Sequence, residues 1–369
     1  MTTEIQVLIV SLDDGTINLT SDEPGVDRIV SITSNKGLTL SLPVTLVKTG
    51  SYVGRKTVTV ESSIDIAVFV AILGSSGTGD GYMAIPITSL QKKYFFSSNI
   101  GIRLSVVSFY ENTEIGFTVT VGSAVSLNEL GLSSNSNITM GRGQNLQVQK
   151  GGGPMGYVTG SKPFMLLQGS RADSTFQYIT SITDSVFFTA ANLYIIPYLY
   201  NGTDAITFCN PTGIQSAKSD GKVYSSTNYL LLKYLTKVRY IQTDFPTSCQ
   251  YIGHGFSITV PSVSSYTTYC RFLTPYQQRF THHSAVLIKT EYDSEIKFID
   301  IGTGHEVSPD YKEVVTVEGV SYSALYYNIE PGQYEVYNGN PNATLTVISY
   351  GFGKGIQAAY GYPVCFKKI

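Results

Sequence analysis

The stretch 157-YVTGSKPFMLLQ-168 decides the fold class of this 369-residue chain. A β-prone start leads into the polar corner 160–162, and Pro163 then precedes the apolar run 164–167. Because proline has no N–H to donate and fixes its own φ, we expect Pro163 at the entry of a strand rather than in its middle. The apolar run is too short for a globular helix and has the length of a strand that is buried on both faces.

Two further stretches have the same shape, namely 60-VESSIDIAVF-69 and 241-IQTDFPTSCQ-250. Each has a β-branched start, a Ser/Thr corner with a charged residue, and then a strand-like run. Their spacing of about a hundred residues is that of sandwich-sized units and not of solenoid repeats. The pattern therefore predicts an internal repeat.

The first sixty residues consist of short β-branched blocks separated by Gly, Asn and Asp turns, which is typical of an all-β sandwich or barrel. We expect an all-β fold of packed antiparallel β-sandwich units, jelly-roll-like and internally repeated. The segment 122–153 is rich in Ser, Asn and Gly. It suggests an N-terminal sandwich, 1–125, and a C-terminal region, 126–369, which divides further into 126–215 and 216–369. The alternative is that segment 122–153 is a long surface loop between packed sheets.

Composition narrows the classes of function. Hydrophobic residues make up 42% and charged residues 14%, so the chain can bury a large core. The net charge of −2 and the lack of a Lys/Arg stripe argue against a nucleic-acid surface. No window has the length of about 20 apolar residues that a membrane span needs. The first fifteen residues do not resemble a secretory signal, which indicates a chain that is not secreted or that is numbered from after signal removal.

The four cysteines lie in the second half of the chain, and their spacing fits no zinc or redox motif. In an extracellular protein we expect them to form two disulfides, with three connectivities open. Cys249 and Cys270 flank a short apolar segment and could join adjacent strands. The alternative is four small buried thiols. The cysteines are Cys209, Cys249, Cys270 and Cys365.

Four sequons are candidate glycosylation sites, although such triplets also arise by chance in a chain rich in Asn, Ser and Thr. The asparagines are Asn18, Asn137, Asn201 and Asn342.

Catalytic, cofactor and metal motifs are not found, so we expect no enzyme and no cofactor. His282 and His283 are adjacent, and neighbouring residues of a strand point to opposite faces, so the pair does not suit one metal ion. We expect these histidines in an exposed loop or at a strand edge. Asp293 and Glu295 would share one face of a strand, where the two carboxylates either bind a cation or have no ligand.

The last hundred residues resemble a known family. The segments 285-AVLIKTEYDSEIKFID-300, 331-PGQY-334 and 344-TLTVISYGFGKGIQAAYGYP-363 resemble the end of the IgGFc-binding protein N-terminal domain. The Ser-x-Lys-Pro strand of residues 157–168 is similar to a recurring strand of that family. The resemblance covers about residues 55–364.

Two features depart from the family pattern. Residues 169–173 (GSRAD) replace the family's Cys-Asp-His cluster, and the chain has no Trp where the family has Trp-Gly. No residue here matches a role in Fc binding. The resemblance implies an extracellular, multi-strand β protein that serves as a building or adhesive module.

These observations predict an extracellular, non-enzymatic structural or adhesive protein. With 27 Tyr and few charges to guard strand edges, we expect self-association into oligomers or filaments, or binding to other glycoproteins. One alternative is a carbohydrate-binding module that uses exposed Tyr rings as stacking platforms. Another is a viral capsid or fibre protein with a jelly-roll fold.

Overall fold

A computed structural model describes the ranges 3–48, 50–74, 79–97, 101–121, 137–151, 155–170, 181–184, 192–199, 206–210, 217–224, 230–232, 237–243, 248–253, 256–276, 280–353 and 359–365. Within these ranges the regular structure is β-strand and short 3-10 helix, and no α-helix is present. The 3-10 helices are Val44–Leu46, Ile87–Ser89, Val263–Ser265 and Thr290–Glu295.

The first fifteen strands are β1 (Thr3–Ser11), β2 (Gly15–Thr20), β3 (Arg28–Ile32), β4 (Leu38–Leu42), β5 (Tyr52–Gly54), β6 (Thr59–Ser62), β7 (Ile66–Gly74), β8 (Gly79–Ala84), β9 (Gln91–Ser97), β10 (Gly101–Ser108), β11 (Thr113–Val121), β12 (Ile138–Met140), β13 (Asn145–Gly151), β14 (Met155–Ser170) and β15 (Ser181–Asp184).

The remaining strands are β16 (Leu193–Ile196), β17 (Ile206–Asn210), β18 (Ala217–Ser219), β19 (Lys222–Tyr224), β20 (Leu230–Leu232), β21 (Arg239–Thr243), β22 (Ser248–Gly253), β23 (Phe256–Thr259), β24 (Tyr269–Leu273), β25 (Phe280–Lys289), β26 (Ile296–Asp300), β27 (Tyr311–Val317), β28 (Val320–Ile329), β29 (Gln333–Asn338), β30 (Leu345–Gly353) and β31 (Ala359–Pro363).

The strands form seven sheets, and all their pairings are antiparallel among the described residues. The orders are β4-β1-β7-β8, β3-β2-β6, β16-β21-β18-β19, β20-β17-β22-β23, β24-β29-β26 and β27-β28-β25-β30-β31, with an eight-stranded sheet built on β12-β11-β14-β10-β13-β5 that also pairs β9 and β15 with β14. The predicted all-β class of packed antiparallel sheets is confirmed. The internal repeat stays a prediction.

The stretch 157–168 forms the middle of the sixteen-residue strand β14. The first half of β14 pairs with β9 and β11, and the second half pairs with β10 and β15. The register on β9 shifts between Thr159 and Phe164, which is where the polar corner lies. Pro163 therefore lies inside a continuous strand, directly before the segment that pairs with β10, and not at the entry of the whole strand as expected.

The strands that follow the corner in the three similar stretches have similar neighbours, and so does β30. β7 lies between β1 and β8, β22 lies between β17 and β23, and β30 lies between β25 and β31. The second half of β14 lies in the same way between β10 and β15. In each case an earlier strand pairs on one side and the next strand in sequence pairs on the other.

Successive side chains of a strand point to opposite faces of the sheet, so one sheet can contribute to two cores. In β1, Val7 and Ile9 face the three-stranded sheet β3-β2-β6, whereas Leu8 and Val10 pack into the core of the C-terminal sheets. The strand is apolar on both faces because both faces are covered, which explains the uninterrupted run 5–10. The sheet of β1 and β7 thus serves two cores at once.

The predicted boundary at 125/126 would cut through the eight-stranded sheet. Strands β9, β10 and β11 precede this point and pair with β14, which follows it. Backbone hydrogen bonds therefore join strands from before and after the predicted boundary, and the sheets do not divide at this position. Residues 122–136, where the boundary falls, lie outside the described ranges.

Candidate functional site

The central strand of the five-stranded sheet, β25, places His283 in the middle of a row of polar and aromatic side chains. His283 lies opposite Asn328 of β28 on one side and opposite Tyr350 of β30 on the other. Opposed residues of antiparallel strands share a face, so these side chains point to the same side of the sheet. Tyr311 of β27 and Tyr326 of β28 are also opposed, and they extend the same face.

The aromatic rings of this face form two stacks. The rings of Tyr311 and Tyr326 lie 4.3 Å apart at an interplanar angle of 10°. The imidazole of His283 stacks on Tyr350 at 5.3 Å, and Phe352 meets Tyr350 edge-on at 5.7 Å. Tyr326 and Tyr350 are buried, whereas Tyr311 is 50% exposed. One face of the Tyr311 ring therefore rests on Tyr326, and half of the residue's surface stays exposed.

Hydrogen bonds hold the base of the aromatic stack. The hydroxyl of Tyr326 donates to Oε2 of Glu313 at 2.9 Å and accepts the backbone N–H of Tyr198 at 2.9 Å. The same Glu313 oxygen accepts the backbone N–H of Val238 at 2.9 Å. These bonds tie the five-stranded sheet to the segments after β16 and before β21, so the stack has little freedom to rearrange.

Asp310 and Asn328 supply polar groups at the rim. Oδ2 of Asp310 accepts the backbone N–H of Asn328, and the N–H of Asp310 donates to the carbonyl of Tyr326 at 2.8 Å. Both residues are exposed. The Asp310 carboxylate held in this way can accept from the hydroxyl groups of a solute, and the side-chain amide of Asn328 can donate to them.

Burial shifts the pKa of His283 and of three tyrosines on this face in the direction that favours their neutral forms. Burial lowers the pKa of His283, against the opposing effects of Asn328 and Asp310. Burial raises the pKa of Tyr311 to about 12, and it raises the pKa of Tyr326 and of Tyr350 much further. At neutral pH these side chains therefore act as uncharged hydrogen-bonding groups.

Together these residues surround a cleft of about 540 Å³, which we call the tyrosine cleft. Its walls are mainly aromatic and its rim carries a carboxylate and an amide, a combination that suits a ligand with an apolar face and several hydroxyl groups. Asp310 is the one carboxylate among the described lining residues, whereas glycoside hydrolysis uses two. The lining residues are Tyr198, Leu199, His283, Asp310, Tyr311, Tyr326, Tyr327, Asn328, Tyr350 and Phe352.

The two adjacent histidines lie on opposite faces of β25, as alternation along a strand requires. His282 is 3% exposed, and its Nδ1 lies 2.6 Å from the hydroxyl of Tyr360. The expectation of an exposed loop or a strand edge is wrong, because β25 is the middle strand of its sheet. His282 is therefore a buried residue that hydrogen-bonds to Tyr360, and His283 is half-buried on the opposite face.

The carboxylates Asp293 and Glu295 do not share a strand face, because Thr290–Glu295 is a 3-10 helix. Asp293 pairs with Lys312 at 2.6 Å and accepts the hydroxyl of Ser323. No group of three or more His, Cys, Asp or Glu side chains within the described ranges could hold a metal ion. Within those ranges, no helix is long and apolar enough to cross a membrane.

A disulfide joins Cys270 of β24 to Cys365, with the Cα atoms 5.5 Å apart. A bond between Cys249 and Cys270, suggested by their spacing in the sequence, is thereby ruled out. Cys209 and Cys249 are opposed in β17 and β22. The carbonyl of Cys249 accepts from Val260 on its other side, so the opposed pair is a non-hydrogen-bonded one, the closer type of pair. A second disulfide at this position stays a prediction.

The sequons differ in exposure. Asn137 and Asn342 are exposed, whereas Asn18 is half-buried on β2 and its amide donates to Glu61 at 3.4 Å. Asn201 lies outside the described residues. Glycosylation of these asparagines stays a prediction.

Sequence reasoning missed the tyrosine cleft as a site. The chain has 27 tyrosines, and many of them, such as Tyr194, Tyr322 and Tyr334, are core residues. The important exposed ring, Tyr311, is at the start of an edge strand, directly after Asp310. A Pro-Asp-Tyr start to a strand was the available signal, and only the register with β28 shows what this Tyr stacks on.

Comparisons of the chain with protein-family models, with curated proteins and with solved structures found no match.

Proposed function

We propose that the protein is an extracellular, non-enzymatic adhesive protein that binds carbohydrate in the tyrosine cleft. The observation that carries this proposal is the Tyr311 ring, which is supported from behind by Tyr326 while the residue is 50% exposed. A sugar ring has an apolar face of C–H groups that packs on such a platform, and its hydroxyls reach the neighbouring Asp310 and Asn328. A rigid aromatic ring loses little conformational entropy on binding.

The charge state of the site supports a neutral ligand. The pKa of His283 is lowered and those of the tyrosines are raised, so the walls carry no charge at neutral pH. A phosphorylated or strongly acidic ligand would find no cation in this lining, where Asp310 would repel it. Neutral hexoses on glycoproteins fit the site best.

The test is a glycan array followed by calorimetry with the best-bound glycan. Tyr311→Ala removes the platform, and we expect affinity to fall by about tenfold or more, since aromatic contacts of this kind are worth about 1 kcal/mol or more. Tyr276→Ala is the matched control, because Tyr276 is an exposed tyrosine outside the cleft. Failure of the wild-type protein to bind any glycan, or equal binding by Tyr311→Ala, would refute the proposal.

The Cys270–Cys365 disulfide supports an extracellular location, because disulfides persist in oxidising compartments. Mass spectrometry of the native protein tests this location. Occupied sequons and oxidised cysteines agree with it, whereas unmodified sequons and reduced thiols contradict it.

A second candidate function is self-association. No described strand pairs with the outer edge of β27, and Val314 on this strand is exposed. A free strand edge can pair with a second copy of the chain, which would build oligomers or filaments. Analytical ultracentrifugation over a wide concentration range is the test. Monomers at the highest concentration, or oligomers that Val314→Lys leaves unchanged, would contradict this candidate.

A further inference from the structure

An apolar cavity of about 300 Å³ lies between the β4-β1-β7-β8 sheet and the eight-stranded sheet. Val70 and Tyr82 line it from the first sheet, Phe109 and Met165 line it from the second, and Val60 of β6 lines it from a third side. All five side chains are half-buried. This space shares no lining residue with the tyrosine cleft.

The cavity interrupts otherwise tight packing. In β7, Phe69 is completely buried while its neighbour Val70, on the other face, is half-buried against the cavity. In β14, Leu166 is buried and Met165 is half-buried in the same way. Facing sheets normally interdigitate at about 10 Å. Here the apolar faces of the two sheets leave a space between them, so side chains of both sheets can contact one bound ligand.

The polar rim of this cavity is cationic. Lys48 and Arg142 are exposed, and neither forms an ion pair with a described residue. Lys56 is neutralised by Glu23, with which it pairs closely. Glu61 is the one acidic residue among the described lining residues. Lys48 lies close enough to Glu23 to help lower the pKa of that carboxyl, although it forms no ion pair with it. Exposed cations beside apolar walls are complementary to an anionic head group on a hydrocarbon chain.

The backbone that carries these cations is held in place. The carbonyl of Lys48 accepts Nε2 of Gln147 at 3.1 Å. The turn that contains Arg142 is fixed at Gly143, whose N–H donates to the carbonyl of Ser108 at 2.9 Å and whose carbonyl accepts the hydroxyl of Thr57 at 3.0 Å. The backbone at Lys48 and next to Arg142 is thus held against the eight-stranded sheet.

We propose that this cavity binds a medium-chain fatty acid, with the hydrocarbon chain between the sheets and the carboxylate at Lys48 and Arg142. The volume lies at the lower end of the range for small-molecule pockets, which favours a single chain of modest length over a two-chain lipid. The walls contribute apolar contact, and the rim contributes charge-assisted hydrogen bonds to the carboxylate.

Isothermal titration calorimetry of the full, delipidated chain with decanoate tests this proposal. We expect one binding site, and about tenfold weaker binding of the uncharged analogue decanol. Met165→Trp places a bulky indole ring in the cavity and should abolish decanoate binding. The double variant Lys48→Gln with Arg142→Gln should weaken it about tenfold.

The controls separate this site from others. Lys162→Gln removes a cation elsewhere on the surface and should bind decanoate as the wild type does. Tyr311→Ala should also bind it normally, so failure of the carbohydrate proposal would not count against this one. The proposal is overturned if decanoate does not bind. It is equally overturned if the Lys48/Arg142 variant, whose changes are on the surface and do not disturb a core, binds decanoate as tightly as the wild type.

Discussion

Replacement of Leu166 by alanine tests the structural role of the stretch 157–168. Leu166 is 2% exposed and packs in the core of the eight-stranded sheet with Phe164. Removing a buried leucine side chain costs about 2 to 5 kcal/mol, because the lost contacts leave a void that the surroundings fill only in part. We expect about 3 kcal/mol, since β10 and β15 hold β14 from both sides and limit its collapse.

This free energy can be measured as a shift in melting temperature. With about 2.1 cal/mol/K of unfolding entropy per residue, a cooperative unit of this chain length has about 0.8 kcal/mol/K, so 3 kcal/mol lowers Tm by about 4 °C. Because the chain has no Trp, far-UV circular dichroism is the suitable signal. A smaller cooperative unit would show a larger shift.

Two matched variants complete the experiment. Met165→Ala alters the other face of the same strand, where the side chain is half-buried beside an existing cavity, and should cost about 1 kcal/mol. Lys162→Ala removes only an exposed hydrogen bond from Nζ to the carbonyl of Glu111 and should cost less than about 0.5 kcal/mol. Equal shifts for Leu166→Ala and Met165→Ala would refute the assignment of the two faces.

Three further predictions concern the C-terminal sheets. Replacing Cys270 and Cys365 by alanine opens a loop with a sequence separation of 95 and should cost about 4 to 5 kcal/mol, seen as a lower Tm that reductant no longer changes. Arg271→Met should cost about 3 kcal/mol, because it leaves the partly buried Glu335 without the cation that it contacts at 2.7 Å. Burial opposes ionisation of Glu335, but hydrogen bonds from Arg271 and Tyr269 lower its pKa overall. The stability that ionised Glu335 contributes is therefore present above about pH 4.5 and is lost as pH falls through the folded-state pKa. This pH-dependent stability should be smaller in Arg271→Met. Because the pKa of His283 is lowered in the folded chain, the unfolded chain takes up a proton first on acidification, and Tm should fall as pH drops below about 6.5. His283→Gln should reduce this fall in Tm. A pH profile of Tm that is the same in His283→Gln as in the wild type would contradict the burial of His283.

Local pattern was sufficient to predict the all-β class and much of the strand content. Short β-branched blocks of the first sixty residues, between Gly and Asn turns, form β1, β3, β4 and β6, and the apolar run 164–167 lies in the second half of β14. These features depend on neighbours in sequence, because a strand needs alternation or a short apolar run, and a turn needs residues that tolerate its backbone angles. The same local reasoning correctly placed His282 and His283 on opposite faces.

Features that depend on strand pairing across long sequence separations could not be predicted. The predicted boundary at 125/126 falls between strands that pair with one another, because β14 pairs with β9, β10 and β11, and sequence pattern does not identify such partners. The cysteine connectivity was open for the same reason. The pairing of Cys270 with Cys365 depends on the fold bringing β24 near the end of the chain.

By itself, the sequence determined that this chain forms antiparallel sheets with few charges and many tyrosines. Only the tertiary structure decided which tyrosines are core and which form a site. Tyr326, Tyr350 and Tyr311 are the same residue type on strands of one sheet, yet the first two are covered by neighbouring segments and the third is half exposed. The physical reason is that burial is a property of the surrounding sheets, and a side chain becomes a binding platform only where one of its faces is supported and the other is left uncovered.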